Sequence, residues 1–142
     1  SRLYRLRDLE LEQITSDHSL MQELIDRGFY TPEQARNSLN KNLVTRAVGI
    51  DETVQIDIQE DIALPNDIYL LCSDGVTDMI EDHLIKSAML DNEDNLEKAS
   101  TEIIRLANEY GGKDNISALL VKPIKSFPAK NSLFSRFFDI FS

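Results

Sequence analysis

The stretch Ile68-Tyr69-Leu70-Leu71-Cys72-Ser73-Asp74-Gly75-Val76 constrains this chain more than any other. An apolar run of strand length without polar alternation predicts a strand buried on both faces. It ends in a carboxylate and a glycine, where a core hands the backbone over to a cleft. Further along, Gly111-Gly112-Lys113-Asp114-Asn115 makes a second turn, and the apolar run Ile116 to Val121 follows it. Asp74 therefore follows one strand and Asp114 precedes another. If those strands pair antiparallel, both carboxylates lie at the same edge of one sheet. Two hard oxygen ligands there suit a hard cation such as Mg²⁺ or Mn²⁺. Each motif alone is also an ordinary turn; their pairing, order and strand contexts raise them above that.

The 142 residues, 42% hydrophobic and 28% charged, suffice for one domain with a real core. A net charge of −10 argues against a nucleic-acid partner. Most of the acids serve solubility. The single cysteine, Cys72, lies inside the apolar run, so no disulfide forms within the chain. It reads as a small hydrophobe rather than a catalytic thiol, in a reducing, cytoplasmic setting. No apolar stretch reaches the length of a membrane span. The chain opens at Ser1 directly on strand-like sequence, which reads as a fragment or a processed product.

In order, the pattern predicts strands over 2–7 and 10–14 around a tight connection at Asp8-Leu9. A helix over 19–27 follows, with Gly28 as its C′ residue. A second helix over 32–38 opens on Thr31 as N-cap, Pro32 at the first position and Gln34 completing a capping box. Val54, Ile56 and Ile58 alternate with polar residues and predict a half-buried strand over 54–59, the antiparallel neighbour of 68–73. Pro65-Asn66-Asp67 turns the chain into the central strand. Helices over 80–90 and 94–110 and a strand over 116–122 complete the string. Leu96, Ala99, Ile103, Leu106, Ala107 and Tyr110 mark the core face of the long helix. His83 falls on a solvent side. Asp17-His18 sits at a strand-to-helix junction. One reading makes His18 a general acid; the favoured one makes Ser16 or Asp17 an N-cap, with His18 satisfying nearby backbone. Helices and strands without βαβ regularity point to an α+β fold.

Leu71-Cys72-Ser73-Asp74-Gly75 and Gly112-Lys113-Asp114-Asn115-Ile116 resemble the last two metal-binding motifs of metal-dependent serine/threonine protein phosphatases of type 2C, in their bacterial form. The opening Ser1-Arg2-Leu3-Tyr4-Arg5-Leu6-Arg7, with Leu11-Glu12-Gln13-Ile14-Thr15-Ser16-Asp17-His18-Ser19, resembles the family's hairpin SRxYxxRxGxLxxLTxDHS. Leu9 replaces its turn glycine, which implies a less regular turn. The segment from Leu24 to Gly49, ending Leu43-Val44-Thr45-Arg46-Ala47-Val48-Gly49, resembles the flap beside the family's active site. Asp78 resembles a recurrent residue just inside the next helix. The resemblance spans about residues 1–122, near the C-terminal half of the family's catalytic domain.

It implies part of an antiparallel β-sandwich flanked by helices, and metal-dependent hydrolysis of phosphoserine and phosphothreonine in proteins, with two or more Mn²⁺ or Mg²⁺ ions activating a water. By resemblance Asp74 and Asp114 are direct metal ligands. Ser73, Gly75, Gly112 and Asn115 shape their turns. Arg46 meets either a phosphate or one of the chain's carboxylates, and neither reading is preferred. The family's other ligands, its active-site histidine and its phosphate-binding arginine belong to motifs upstream of the matched stretch. The chain alone is therefore expected to bind metal weakly and turn over little. The reading from another class is a non-catalytic pseudophosphatase or protein-interaction module.

Residues 123–142 differ in kind. Five of the six phenylalanines lie there, among three basic residues and one acid. Phe134, Phe137, Phe138 and Phe141 recur at helical spacing, an amphipathic pattern after a Pro-containing linker. Three readings stay open for it: folding back on its own domain, docking on a partner, or lying on a membrane surface.

Overall fold

The computed structural model describes residues 1–31, 33–34, 43, 45–46, 49 and 52–125. Within them, β1 (Arg2–Arg7) and β2 (Glu10–Gln13) are followed by α1 (Leu20–Asp26) and β3 (Ile68–Cys72). Then come α2 (Asp74–Thr77), α3 (Asp82–Leu90), α4 (Leu96–Glu109) and β4 (Ala118–Val121). The strands form one antiparallel sheet in the order β2-β1-β3-β4. Helices and an antiparallel sheet joined without βαβ units make this an α+β fold.

Alternation sets the core. Tyr4 and Leu6 on β1, with Ile68, Leu70 and Cys72 on β3, point to one face, and Val76, Ile80, Ile85, Ala88, Met89 and Ile103 pack against them. Among the described residues no layer covers the other face. Leu71 is 49% exposed and Leu119 58% exposed, so β3 is buried on one face and not on both. A continuous apolar run signals burial on both sides only when a layer covers each, and the described residues supply a layer on one. The long helix turns Ala99, Ile103 and Ala107 fully inward; small side chains at that spacing let α4 lie close to its neighbours. Tyr110, expected on this face, caps the helix and is exposed.

The expected strand over 54–59 does not form. Residues 54–60 are irregular, with Ile56 74% and Ile58 87% exposed. The register explains why it is not the neighbour of 68–73: both edges of β3 are already taken, by β1 and by β4. The chain beyond them is held by charge instead. Arg5 donates to Asp61 (2.6 Å), and Arg7 grips Asp67 through Nε (2.8 Å) and Nη2 (2.6 Å). Asp67 is nearly fully buried and also accepts from the Leu64 amide (2.6 Å). The Arg7 guanidinium holds its carboxyl below the usual range.

The β1–β2 connection is regular rather than less regular. Arg7 pairs with Glu10, leaving a two-residue loop. Asp8 (φ 50°) and Leu9 (φ 64°) both lie in the left-handed region, the conformation of a type I′ hairpin turn. Leu9 thus adopts backbone that favours glycine.

Ser19, not Ser16 or Asp17, caps α1, accepting from the Gln22 amide (3.2 Å). Gly28 at φ 76° ends that helix as expected. Its amide bonds to Ile25 O and that of Phe29 to Leu24 O, the two bonds of a Schellman motif. Thr31 and Gln34 exchange side chain-to-amide bonds of 2.9 and 3.2 Å, the predicted capping box. The rest of the helix expected over 32–38, most of the flap and residues 126–142 lie outside the described residues.

Candidate metal centre

β3 and β4 pair antiparallel, from Tyr69 opposite Val121 to Cys72 opposite Ala118. Asp74 at the end of one strand and Asp114 ahead of the other therefore stand at the same sheet edge. Two features lock their turns together. Ser73 donates its hydroxyl to the Asn115 carbonyl (2.9 Å) and accepts on the same oxygen from the Ser117 amide (3.0 Å). The Ser73 amide donates to Ser117 O (3.0 Å), which carries the ladder one step past β3. Gly75 then lies against the second turn: a Cβ built there would sit 2.3 Å from Asn115 O and 2.9 Å from its carbonyl carbon. Only glycine fits that approach.

Each carboxylate is presented differently. Asp74 opens α2, is exposed, and has its carbonyl accepting from the Asp78 amide (2.8 Å). Asp78 is thereby the C-cap of this short helix, not the first turn of the next one. Asp114 is exposed and accepts from the Asn115 amide (2.7 Å). Neither is ion-paired among the described residues. Gly112, at φ 53°, brings the chain off α4 toward Asp114, and a Cβ there would press Asn108 Oδ1 at 3.0 Å.

The donor set fits a hard cation in part. Two unpaired carboxylates at one edge are suitable ligands, but no group of three or more His, Cys, Asp or Glu side chains able to hold a metal occurs among the described residues. What is present is two exposed carboxylates on turns that are hydrogen-bonded to each other.

Arg46 lies elsewhere. Its Nη1 donates to Asp57 Oδ2 (2.8 Å) and lies 3.2 Å from His18 Nε2, and His18 Nε2 is 2.7 Å from the same Asp57 oxygen. Of the two readings left open for Arg46, the structure shows the carboxylate one. His18 meets side chains with its ring, while its carbonyl accepts from the Thr45 amide (2.9 Å). No hydrogen bond joins these residues to 73–75 or 112–115 among the described residues. Sequence reasoning missed Asp57 as their partner because its alternating surroundings read as strand. It also missed Asp17, which is no helix cap: it clamps Arg2 through Nε (3.0 Å) and Nη2 (2.6 Å). His83 is exposed, as expected, beside Glu81. Cys72 is buried, and that burial pushes its thiol up to about 11, so it carries no thiolate at neutral pH.

The chain is 39% identical over 122 residues to the serine/threonine phosphatase stp of Listeria welshimeri, matching 86% of this chain and 48% of that protein. The fold agrees. A Streptococcus agalactiae serine/threonine phosphatase superposes with a TM-score of 0.79 at 34% identity, over 86% of this chain and 50% of that one. The chain is a homologue of the type-2C, or PPM, serine/threonine phosphatases. The catalytic domain of one, PstP, has been solved with two manganese ions; it matches at a TM-score of 0.68 and 37% identity, over 85% of this chain and 49% of that one. No family model matches. The chain spans about half the length of the PPM phosphatases it matches. Among the described residues no helix is long and apolar enough to cross a membrane.

Proposed function

We propose that this chain contributes part of the metal centre of a protein phosphatase acting on phosphoserine and phosphothreonine, with Asp74 and Asp114 as ligands of one divalent cation, Mn²⁺ or Mg²⁺. The observation that supports this most is the lock between the two turns, in which the Ser73 hydroxyl and the Gly75 contact hold the turns that carry the two carboxylates against each other. Bound cations would supply the positive charge that makes a water nucleophilic near neutral pH and stabilises developing negative charge. The chain's own residues bind and orient. Asp74 and Asp114 offer oxygen donors unspent on other cations, and Asn115 holds the Asp114 carboxylate through its amide. Ser73, Gly75 and Gly112 fix the backbone beneath them. Residues 1–122 form the phosphatase part and 123–142 a linker and aromatic tail.

Titration calorimetry with Mn²⁺ tests the assignment. Binding is expected to be weak in the unaltered chain and absent in Asp74→Ala and in Asp114→Ala, with circular dichroism unchanged because both side chains are exposed. Unaltered affinity in either variant removes that residue from the site. Hydrolysis of p-nitrophenyl phosphate is expected only when the segment of a PPM relative preceding the matched region is supplied alongside. Its absence from a folded, Mn²⁺-binding mixture favours the non-catalytic module.

A further inference from the structure

A second polar cluster, outside the metal centre, is built around one oxygen. Asp57 Oδ2 accepts from Arg46 Nη1 at 2.8 Å and lies 2.7 Å from His18 Nε2. Two groups able to carry positive charge thus converge on a single carboxylate oxygen, and the pair holds the Asp57 carboxyl below its ordinary range.

The pairing differs from that of three other arginines, although Arg5 likewise meets Asp61 through Nη1. Arg2 meets Asp17, Arg7 meets Asp67 and Arg105 meets Glu102 through the Nε and Nη2 fork. Among the described residues Arg46 uses Nη1 alone, for Asp57, for His18 at 3.2 Å and for Gln55 O at 3.5 Å. Among the described residues, its Nε and Nη2 hydrogens make no hydrogen bond. Asp57 in turn engages one oxygen, and its side chain is 55% exposed. It sits on the irregular 54–60 segment, flanked by the exposed Ile56 and Ile58, so little apolar burial holds it in place. A monodentate, exposed pair of this kind is weak.

We propose that His18 and Arg46 form a binding site for a phosphate dianion, either free phosphate or a phosphoryl group on a protein, which Asp57 caps as an internal stand-in. A phosphoryl group carries nearly two negative charges and three outer oxygens. One of those oxygens takes the place of Asp57 Oδ2 between Arg46 Nη1 and His18 Nε2, and the larger charge of the dianion strengthens both contacts. Asp17, the nearest acid in sequence, does not compete, because it is committed to Arg2.

The choice of phosphate rests on the phosphatase reading, and the test keeps the two apart. The full chain is titrated in EDTA with inorganic phosphate and with a phosphothreonine peptide, following the His18 ring by NMR. Removing the internal competitor by Asp57→Asn is expected to tighten binding about two- to sixfold, the factor by which a cap of this strength reduces the open fraction. The gain is expected to vanish in Arg46→Gln/Asp57→Asn, and the His18 signals to shift on binding in Asp57→Asn alone. Tightening for both ligands, or for one of them, supports the site and tells which source it takes. No tightening in Asp57→Asn overturns it, as does tightening that survives loss of Arg46. Since no metal or turnover enters the measurement, either result leaves the Mn²⁺ titration of Asp74 and Asp114 to stand or fall separately.

Discussion

Gly75→Ala tests the lock at the sheet edge most directly. The added methyl would stand 2.3 Å from Asn115 O and 2.9 Å from its carbonyl carbon, both backbone atoms. Ordinary carbon–oxygen contact begins above about 3 Å, so the turn carrying Asp114 must retreat by nearly 1 Å. No flexible side-chain end can absorb that. The retreat strains the bonds from Ser73 to Asn115 and Ser117, which are 2.9 and 3.0 Å long. Overpacking of this kind costs about 1–3 kcal/mol, equivalent to a drop of roughly 3–12 °C in Tm for a domain of this size. The more telling readout is metal. If the contact sets the spacing of Asp74 and Asp114, calorimetry with Mn²⁺ should show at least a tenfold loss of affinity in the folded variant. Gly28→Ala is the control. Gly28 has positive φ but open space around its Cβ position, so that change should cost about 1 kcal/mol of backbone strain and leave Mn²⁺ binding unaltered. A Gly75→Ala chain that melts with the parent and binds Mn²⁺ equally would refute the reasoning.

Two further outcomes follow from the scaffold. Leu9→Gly should stabilise the chain by about 1 kcal/mol in urea titration, because Leu9 sits at φ 64° and, at 67% exposure, loses little burial; a lower midpoint would show that its side chain matters in the folded state. Asp67→Asn should destabilise by about 2 kcal/mol at pH 7, since it strips a charged partner from Arg7 in a buried setting. The sign of the pH dependence is fixed by the depressed carboxyl: its stabilisation is present above the unfolded value near pH 4 and lost as pH falls through the lower folded value. Melts between pH 7 and pH 2 should therefore converge for the parent and Asp67→Asn at the acid end, and a gap that stays constant would place the effect elsewhere.

What could be read from the sequence was local. The hairpin ends, the Schellman glycine at Gly28, the capping box at Thr31 and the periodic faces of α3 and α4 each depend on residues within a few positions of one another. The antiparallel placement of Asp74 and Asp114 was legible too, because two apolar runs and two turns leave few ways to pair. The failures share a physical origin, which is that pairing is competitive. Val54, Ile56 and Ile58 have the pattern of a strand, yet the neighbour expected for them, β3, has spent both edges on β1 and β4. The same limit hid the burial of β3, since an apolar run reports what a strand could bury and not which layers are there to cover it. It also hid the charged staples. Asp17, Asp57 and Asp67 sit at turn-like or alternating positions that look solvated, and each is claimed by an arginine 15, 11 and 60 residues away in sequence. Seen together, the open sheet face with Leu71 and Leu119, the unpaired segment with Ile56 and Ile58, and two carboxylates without a third ligand are one circumstance. The core on the helical side is packed and holds the turns that carry Asp74 and Asp114, while the other side offers apolar surface and oxygen donors in excess of what the described residues use. That asymmetry fits a chain spanning about half of its PPM relatives. If Asp74 and Asp114 take a cation as proposed, their turns are pre-set by Ser73, Gly75 and Asn115, and its affinity depends on ligands beyond those that the described residues bring to this edge.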